Sequence, residues 1–267
     1  MLLPLKPDIL YGPVKSRRYG LSLGVNLMPL RYKVCTFNCV YCHFGWTARR
    51  QTDLAGCEPD LPAVEDVAAA VESAARSTAA FGLITFSGNG EPTLHPGFPE
   101  LVEEMSRLRD RWRPEARLAL LSNSCGLENE AVRRSLARID LPIFKLDAGT
   151  EETFQALNRP AAGIRFGELV DRLASLEGII LQTALLDGVL SNTGERELAA
   201  YAELVARIRP REVHLYSIDR AVPMKGLALV GPARLSAIAR RLERASGVRF
   251  LAFSAAGVED SAAPPGA

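Results

Sequence analysis

Apolar positions along the chain follow two alternating patterns. Short continuous apolar runs read as strands: LITFSG (83–88), ARLALLS (116–122), PIFKLDA (142–148), IILQTALL (179–186) and EVHLYSI (212–218). Between them lie stretches whose apolar residues recur every three or four positions, the period of an amphipathic helix. These are FPELVEEMSRLRDRW (98–112), ENEAVRRSLARI (128–139), FGELVDRLASLE (166–177), ERELAAYAELVARI (195–208) and ARLSAIARRLERA (233–245). Upstream, LSLGVNL (21–27) reads as one more strand and PAVEDVAAAVESAARS (62–77) as a helix, with Asp60 or Pro62 near its start. Gly, Pro or Asn sits at most junctions. The count is six β/α units.

Continuous apolar strands belong to a parallel sheet covered on both faces. Right-handed crossovers then give a doubly wound sheet or a barrel, complete or partial. Six units are two short of an eightfold barrel. VRFLAF (248–253) adds an edge strand, and SAAPPGA at the end reads as disordered. No linker interrupts the series, so the expectation is one domain over 1–258 and a tail over 259–267.

Composition narrows the class. The chain has 267 residues, 48% hydrophobic and 24% charged, the balance of a globular protein. It contains no run of 18 apolar residues, so no membrane helix is expected. The start, MLLPLKPDILYGP, lacks the compact apolar core and cleavage site of a signal peptide, which predicts a cytoplasmic address. The net charge of +1 conceals an asymmetry. Residues 1–52 hold one acid, Asp8, and eight bases: Lys6, Lys15, Arg17, Arg18, Arg31, Lys33, Arg49 and Arg50. Such a stretch is either a solvated edge or a face that meets something anionic.

Five cysteines are present, and three fall in Cys35-Thr-Phe-Asn-Cys39-Val-Tyr-Cys42. An odd count argues against a disulfide framework. Structural zinc wants four ligands, usually as two separated pairs. Here the triplet has no clear fourth: Cys57 and Cys125 are distant in sequence, and His43 would have to fold back. Three thiolates on a cubane iron–sulfur cluster leave one iron open for a substrate or cofactor. Reactive groups in such folds sit at the C-terminal ends of the strands. Those ends are polar here: Ser87-Gly88-Asn89-Gly90-Glu91, Ser122-Asn123-Ser124, Lys145-Leu146-Asp147 and Ser217-Ile218-Asp219-Arg220.

The CxxxCxxC spacing, placed after a first strand with a Gly-Glu-Pro loop after the next, resembles the signature of the radical S-adenosylmethionine (radical SAM) enzymes. The segments YGPVKSRRYGLSLGVN, KVCTFNCVYCHFG, SGNGEPTLHP, FKLDA and LYSIDR look like the compact Fe–S oxidoreductases related to the wyosine-base, tRNA-modifying group. The resemblance implies an α/β partial (β/α)6 barrel, a [4Fe-4S] cluster on Cys35, Cys39 and Cys42, and SAM chelating the open iron. It implies reductive SAM cleavage to a 5′-deoxyadenosyl radical that abstracts hydrogen from a substrate. It places Tyr41 near the adenine and gives Gly88, Asn89, Gly90 and Glu91 to the SAM ammonium.

Other residues have paired readings. Lys145 and Asp147 share one face of FKLDA, as an internal ion pair or with Asp147 on the ribose. Ser122 and Asn123 suit the SAM carboxylate or ribose. Gln182, the polar residue in IILQTALL, touches SAM or only a neighbour. Cys125 is a small apolar filler or a hydrogen-atom donor beside the SAM pocket. His43, His95 and His214 read as structural, and Arg220 pairs with Asp219 or grips an anionic substrate. A cluster carrier without SAM chemistry is the competing class of function.

The expected partners are an electron donor such as flavodoxin or ferredoxin and a substrate that is a small molecule, a peptide or RNA. The wyosine synthase carries a second cluster on cysteines upstream of the motif, and no Cys precedes Cys35 here. Arg49, Arg50 and Lys33 flank the cysteine loop and are expected on the surface that docks an acidic reductase.

Overall fold

The structure, a computed structural model, describes residues 1–16, 18–77, 80–254 and 257–260. Arg17, one of the bases counted above, and the SAAPPGA tail at 261–267 lie outside the described residues. The strands in chain order are β1 (Leu10–Ser16), β2 (Gly20–Val25), β3 (Val34–Cys35), β4 (Arg49–Arg50), β5 (Leu83–Phe86), β6 (Arg117–Ser122), β7 (Leu141–Lys145), β8 (Ile180–Gly188), β9 (Glu212–Ser217), β10 (Leu227–Leu229), β11 (Phe250–Ser254) and β12 (Gly257–Asp260). The helices are α1 (Val64–Arg76), α2 (Phe98–Trp112), α3 (Glu130–Ser135), α4 (Glu151–Asn158), α5 (Phe166–Ala174), α6 (Glu195–Ile208) and α7 (Pro232–Ser246).

The main sheet runs β1-β2-β5-β6-β7-β8-β9-β11-β12, with β10 added to β8. From β2 to β11 each neighbouring pair is parallel, and β1 and β12 flank the array antiparallel. The array is a partial barrel of mainly parallel strands, and among the described residues β1 and β12 do not pair with each other. The VRFLAF strand is therefore a seventh parallel strand, and β12 carries the fold across the expected tail boundary at 259.

Alternation along each strand sorts residues between two cores. Leu83, Ala119, Leu141, Ile143 and Ile180 pack inside the curve, with Tyr19 and Leu121 against them. Their chain neighbours Ile84, Leu118, Leu120, Phe144 and Leu181 face outward into the larger core shared with the helices. Helix α2 shows why the helices dock: Phe98, Leu101, Val102, Met105 and Leu108 form one buried stripe. Phe98 meets Phe86 edge-on, with ring centroids 5.4 Å apart. Each such side chain contributes about 1.5–3 kcal/mol on burial.

Two of the elements that depart from the sequence expectation are β1 and α4. β1 was not expected: GPVKS carries little alternation, and the segment pairs antiparallel with β2 through a register shift between Tyr11 and Val14. Helix α4 was not expected either, because EETFQALN is too short for its period to show. It forms because Thr150 caps it, accepting from Thr153 N at 3.2 Å, and because Phe154 and Leu157 are buried. Glu197 of α6 accepts from Thr150 and Thr153, each at 2.8 Å, and so ties the start of α4 to the helix layer.

Candidate functional site

The cysteine loop follows β2 and crosses the C-terminal ends of the strands. Its first part is clamped by the loop after β5. Val34 forms a bridge with Gly90, and Glu91 N donates to Val34 O at 3.4 Å. A Cβ at position 90 would lie 1.6 Å from Val34 O, so this close approach requires glycine. The far part rests on the end of α4, where Asn38 N donates to Asn158 O and Val40 N to Leu157 O, both at 2.9 Å. Val40 and Tyr41 pack down on Ala184, Leu186 and Ile218.

Each of the three sulfurs receives an N–H donor from a different part of the fold. Lys33 Nζ lies 3.0 Å from Cys42 Sγ and donates as well to Gly45 O at 3.0 Å. Asn123 Nδ2, after β6, reaches Cys35 Sγ at 3.5 Å, and Asn158 Nδ2, on α4, reaches Cys39 Sγ at 3.4 Å. As free thiols Cys35 and Cys39 are pushed up to about 12 and about 11, chiefly by burial. Metal binding there has to displace protons. The donor set, three soft sulfurs each with an N–H partner, fits an iron–sulfur cluster. Among the described residues no three His, Cys, Asp or Glu side chains converge closely enough for a single metal ion.

The polar strand ends meet beside these sulfurs. Buried Glu91 accepts from Thr93 N at 3.1 Å, Thr93 Oγ1 at 2.6 Å, Ser122 Oγ at 2.8 Å and Asn123 N at 2.7 Å. Burial raises its pKa, and these donors oppose the rise. Glu91 therefore fixes Ser122 and Asn123, which brings Asn123 Nδ2 to Thr36 Oγ1 at 2.6 Å and to Cys35. Asn123 Oδ1 accepts from Cys125 N at 3.1 Å. The Cys125 thiol hydrogen-bonds Thr36, and burial raises its pKa. It borders a cleft of about 370 Å³ lined also by Thr93, Arg165 and Arg172.

Asp147 is saturated by its own protein. It accepts from Tyr41 OH, from Asn158 Nδ2 at 2.9 Å and from Ala184 N at 2.8 Å, and pairs with Lys145 Nζ at 2.9 Å. Lys145 donates on to Tyr216 OH at 2.9 Å. The ion-pair reading of FKLDA is the one the geometry carries. With four partners in place, Asp147 orients Tyr41 and Asn158 instead of offering an acceptor to a ribose.

Four of the expected residues are engaged within the protein itself. Asn89 is fully buried and serves packing: its amide accepts from Lys6 N at 2.7 Å and donates to Lys6 O at 2.9 Å and Pro29 O at 3.0 Å. Gly88, at φ +138°, lies against Asn26, whose amide a Cβ would strike. Gln182 sets its carboxamide against the Arg18 guanidinium. Lys33 is only 5% exposed and bound to Cys42, so it is no part of a docking surface.

His95 and His214 are buried structural groups. His43 is half-buried and approaches Asp219 at 3.9 Å. Asn158 was missed, because nothing marks one Asn in an unrecognised helix. Its carboxamide oxygen is buried and has no hydrogen-bond partner among the described residues.

A family model described as the radical SAM superfamily matches residues 30–177, which include the cysteine loop, the Glu91 loop and α4. The chain belongs to the radical SAM superfamily. That membership implies an iron–sulfur cluster and SAM. The chain is also 31% identical over 229 residues to a UPF0026 protein of Helicobacter pylori, covering 82% of this chain and 69% of that protein, and so falls in the UPF0026 family. A "GTPase Obg" of Brachyspira hyodysenteriae is 30% identical over 81% of this radical SAM chain, which spans 31% of that longer protein. A solved radical SAM methyltransferase from Sphaerobacter thermophilus shares the fold at a TM-score of 0.61 and 17% identity, over 86% of this chain and 65% of that one. No helix of the described residues is long and apolar enough to cross a membrane.

Proposed function

We propose that this chain is a radical SAM enzyme in which Cys35, Cys39 and Cys42 hold one [4Fe-4S] cluster and the polar strand ends beside it hold SAM. The observation that carries this reading is the separate N–H donor at each sulfur, from Lys33, Asn123 and Asn158. Cluster and SAM, when bound, supply a 5′-deoxyadenosyl radical that abstracts hydrogen from a substrate. N–H···S bonds favour the more negative, reduced state and so raise the reduction potential. Leu157, Ala184 and Ile218 pack against the Val40–Tyr41 segment and exclude water from the sulfur side of the site.

For SAM, the Gly88–Glu91 loop supplies backbone carbonyls as acceptors beside the cysteines. The unpartnered Asn158 Oδ1 supplies a buried acceptor next to Cys39. Tyr41, held by Asp147, offers its ring as a wall for the adenine, and Ser122 and Asn123 close the opposite side. Burial keeps the Cys125 thiol protonated, the state a hydrogen-atom donor needs. An acidic flavodoxin or ferredoxin supplies the electron.

RNA as substrate, suggested by the resemblance to the wyosine-base group, is carried by no residue beyond the basic N-terminal stretch. The reading is tested by anaerobic reconstitution and incubation with SAM and dithionite. Release of 5′-deoxyadenosine and methionine supports it. An intact cluster that releases neither makes the chain a cluster carrier.

A further inference from the structure

We infer that the outer face of the cysteine loop, built from Trp46, Arg50 and Arg159, docks an acidic one-electron donor protein. The inference rests on the reading that this loop holds a redox cluster. The inner side of the loop faces the strand ends, where Val40 and Tyr41 pack. The outer side is open, with Trp46 43% exposed and Arg50 exposed.

Each patch residue stands next to a different cysteine. Arg50 is the register partner of Cys35 across β3 and β4. Trp46 follows Gly45, whose carbonyl shares the Lys33 ammonium with Cys42. Arg159 follows Asn158, the donor to Cys39. A protein seated on these three side chains is therefore one or two residues removed from every sulfur of the proposed cluster.

The patch is also held together as a unit. The Arg159 guanidinium lies over the Trp46 ring at 5.2 Å, and Arg50 Nη1 donates to Arg159 O at 3.3 Å. Arg159 adopts φ +45°, in the left-handed region that a non-glycine residue seldom enters. Trp and Arg are the residues that dominate protein interfaces. Among the described residues no acidic side chain pairs with Arg50, which is exposed, or with the half-buried Arg159.

Three other bases of the N-terminal stretch do not join them. Arg49 donates to Gly56 O at 2.8 Å and to Cys57 Sγ at 3.2 Å, and stacks on Tyr32. Lys6 lies over the rings of Tyr11 and Phe44, and Lys33 is buried. A nucleic-acid groove needs a run of phosphate contacts, whereas one guanidinium stacked on a tryptophan, with Arg50 hydrogen-bonded to the same Arg159 backbone, forms a compact spot that suits a small acidic protein. The step would be a single electron transfer, in which the reduced donor loses one electron to the cluster that Cys35, Cys39 and Cys42 would hold.

The test uses the full reconstituted chain and reduced flavodoxin as the probe. It follows the bleaching of the oxidised cluster's visible absorption in a stopped-flow instrument, without SAM, with dithionite in parallel. The variants are Arg50→Glu, Trp46→Ala and Arg159→Asn, the last because Asn tolerates the left-handed region. Docking at this patch predicts a second-order rate with flavodoxin lower by roughly tenfold or more at low salt in Arg50→Glu, with dithionite reduction unchanged. It also predicts that added salt slows the parent steeply and Arg50→Glu little.

Equal flavodoxin rates in parent and variants overturn it. Loss with both reductants overturns it too, by assigning the residues to holding the cluster. So does weakened binding of a tRNA probe with unchanged reduction, which makes the patch an RNA surface. Failure of the parent to cleave SAM strikes the earlier reading instead and leaves this reduction assay interpretable.

Discussion

Lys33 is the residue whose part in the site is furthest from its appearance in the sequence. Among eight bases in the first 52 residues it looks like any other, yet it is buried and donates to Cys42. A buried cation beside the cluster favours the reduced state. Lys33→Met is therefore expected to lower the cluster's reduction potential by on the order of 60 mV, a tenfold change in a one-electron equilibrium. Redox titration followed by EPR measures it, and an unchanged or raised potential contradicts the assignment.

His214 carries a separate residue-scale prediction about stability. Burial and the Arg18 guanidinium push its pKa down to about 4, with Arg211 adding and Glu212, 2.8 Å away, opposing. Tyr19 and Phe253 complete its surroundings. In the unfolded chain the ordinary value of 6.5 returns. Above pH 6.5 both states are neutral and nothing changes. As the pH falls from there towards 4, only the unfolded chain takes up the proton, so the folded state loses up to roughly 1.4 kcal/mol per pH unit. Urea denaturation of a His214→Phe protein should show a smaller acid loss across that window than the parent. Parallel losses rule His214 out as the cause. The cysteines were legible in the sequence because their spacing is itself the signal. The partners of Lys33, Asn123 and Asn158 were not, because a hydrogen bond to a sulfur leaves no pattern along the chain.

At the level of elements, the β/α series was readable where period and length agree. The α2 stripe runs over the residues expected, and α6 spans 195–208 as expected. Where length fails, the reading failed: α4 has eight residues, and its cap and its tie to Glu197 decide it. That omission hid Asn158. The loop after β5 was legible as glycine-rich, but its glycines were assigned to a ligand. At position 90 the requirement comes from Val34 O, and at 88 from Asn26. Gly90→Ala is therefore expected to force the two loops apart, at a cost of about 3 kcal/mol by the usual scale of overpacking. It should also lower the iron retained after reconstitution. Thermal unfolding together with iron analysis checks this. A variant with the parent's melting temperature and full iron content shows that the clamp is not needed.

As a whole molecule, the protein brings one loop and three later segments to a single end of a partial barrel. Cys35, Cys39 and Cys42 come from the loop, Glu91 and Asn123 follow β5 and β6, and Asn158 ends α4. The alternation of strand and helix made that architecture legible, since reactive groups of such folds gather at the carboxyl ends of the strands. Which polar ends face the sulfurs was not legible, because that depends on strand register and on which side chains are consumed internally, as Asp147 and Gln182 are. Cys57 is buried beside Arg49 and Gln51, and Cys125 beside Thr36. Two isolated thiols do not make a second cluster site, so reconstituted protein should carry about four irons per chain. A value near eight contradicts that.

The central claim is a three-cysteine cluster whose open iron takes SAM, and EPR of the dithionite-reduced protein tests it most directly. The account predicts a reduced-cluster signal that changes when SAM is added and that is lost in Cys42→Ala. A signal indifferent to SAM, or one that survives intact in Cys42→Ala, contradicts it.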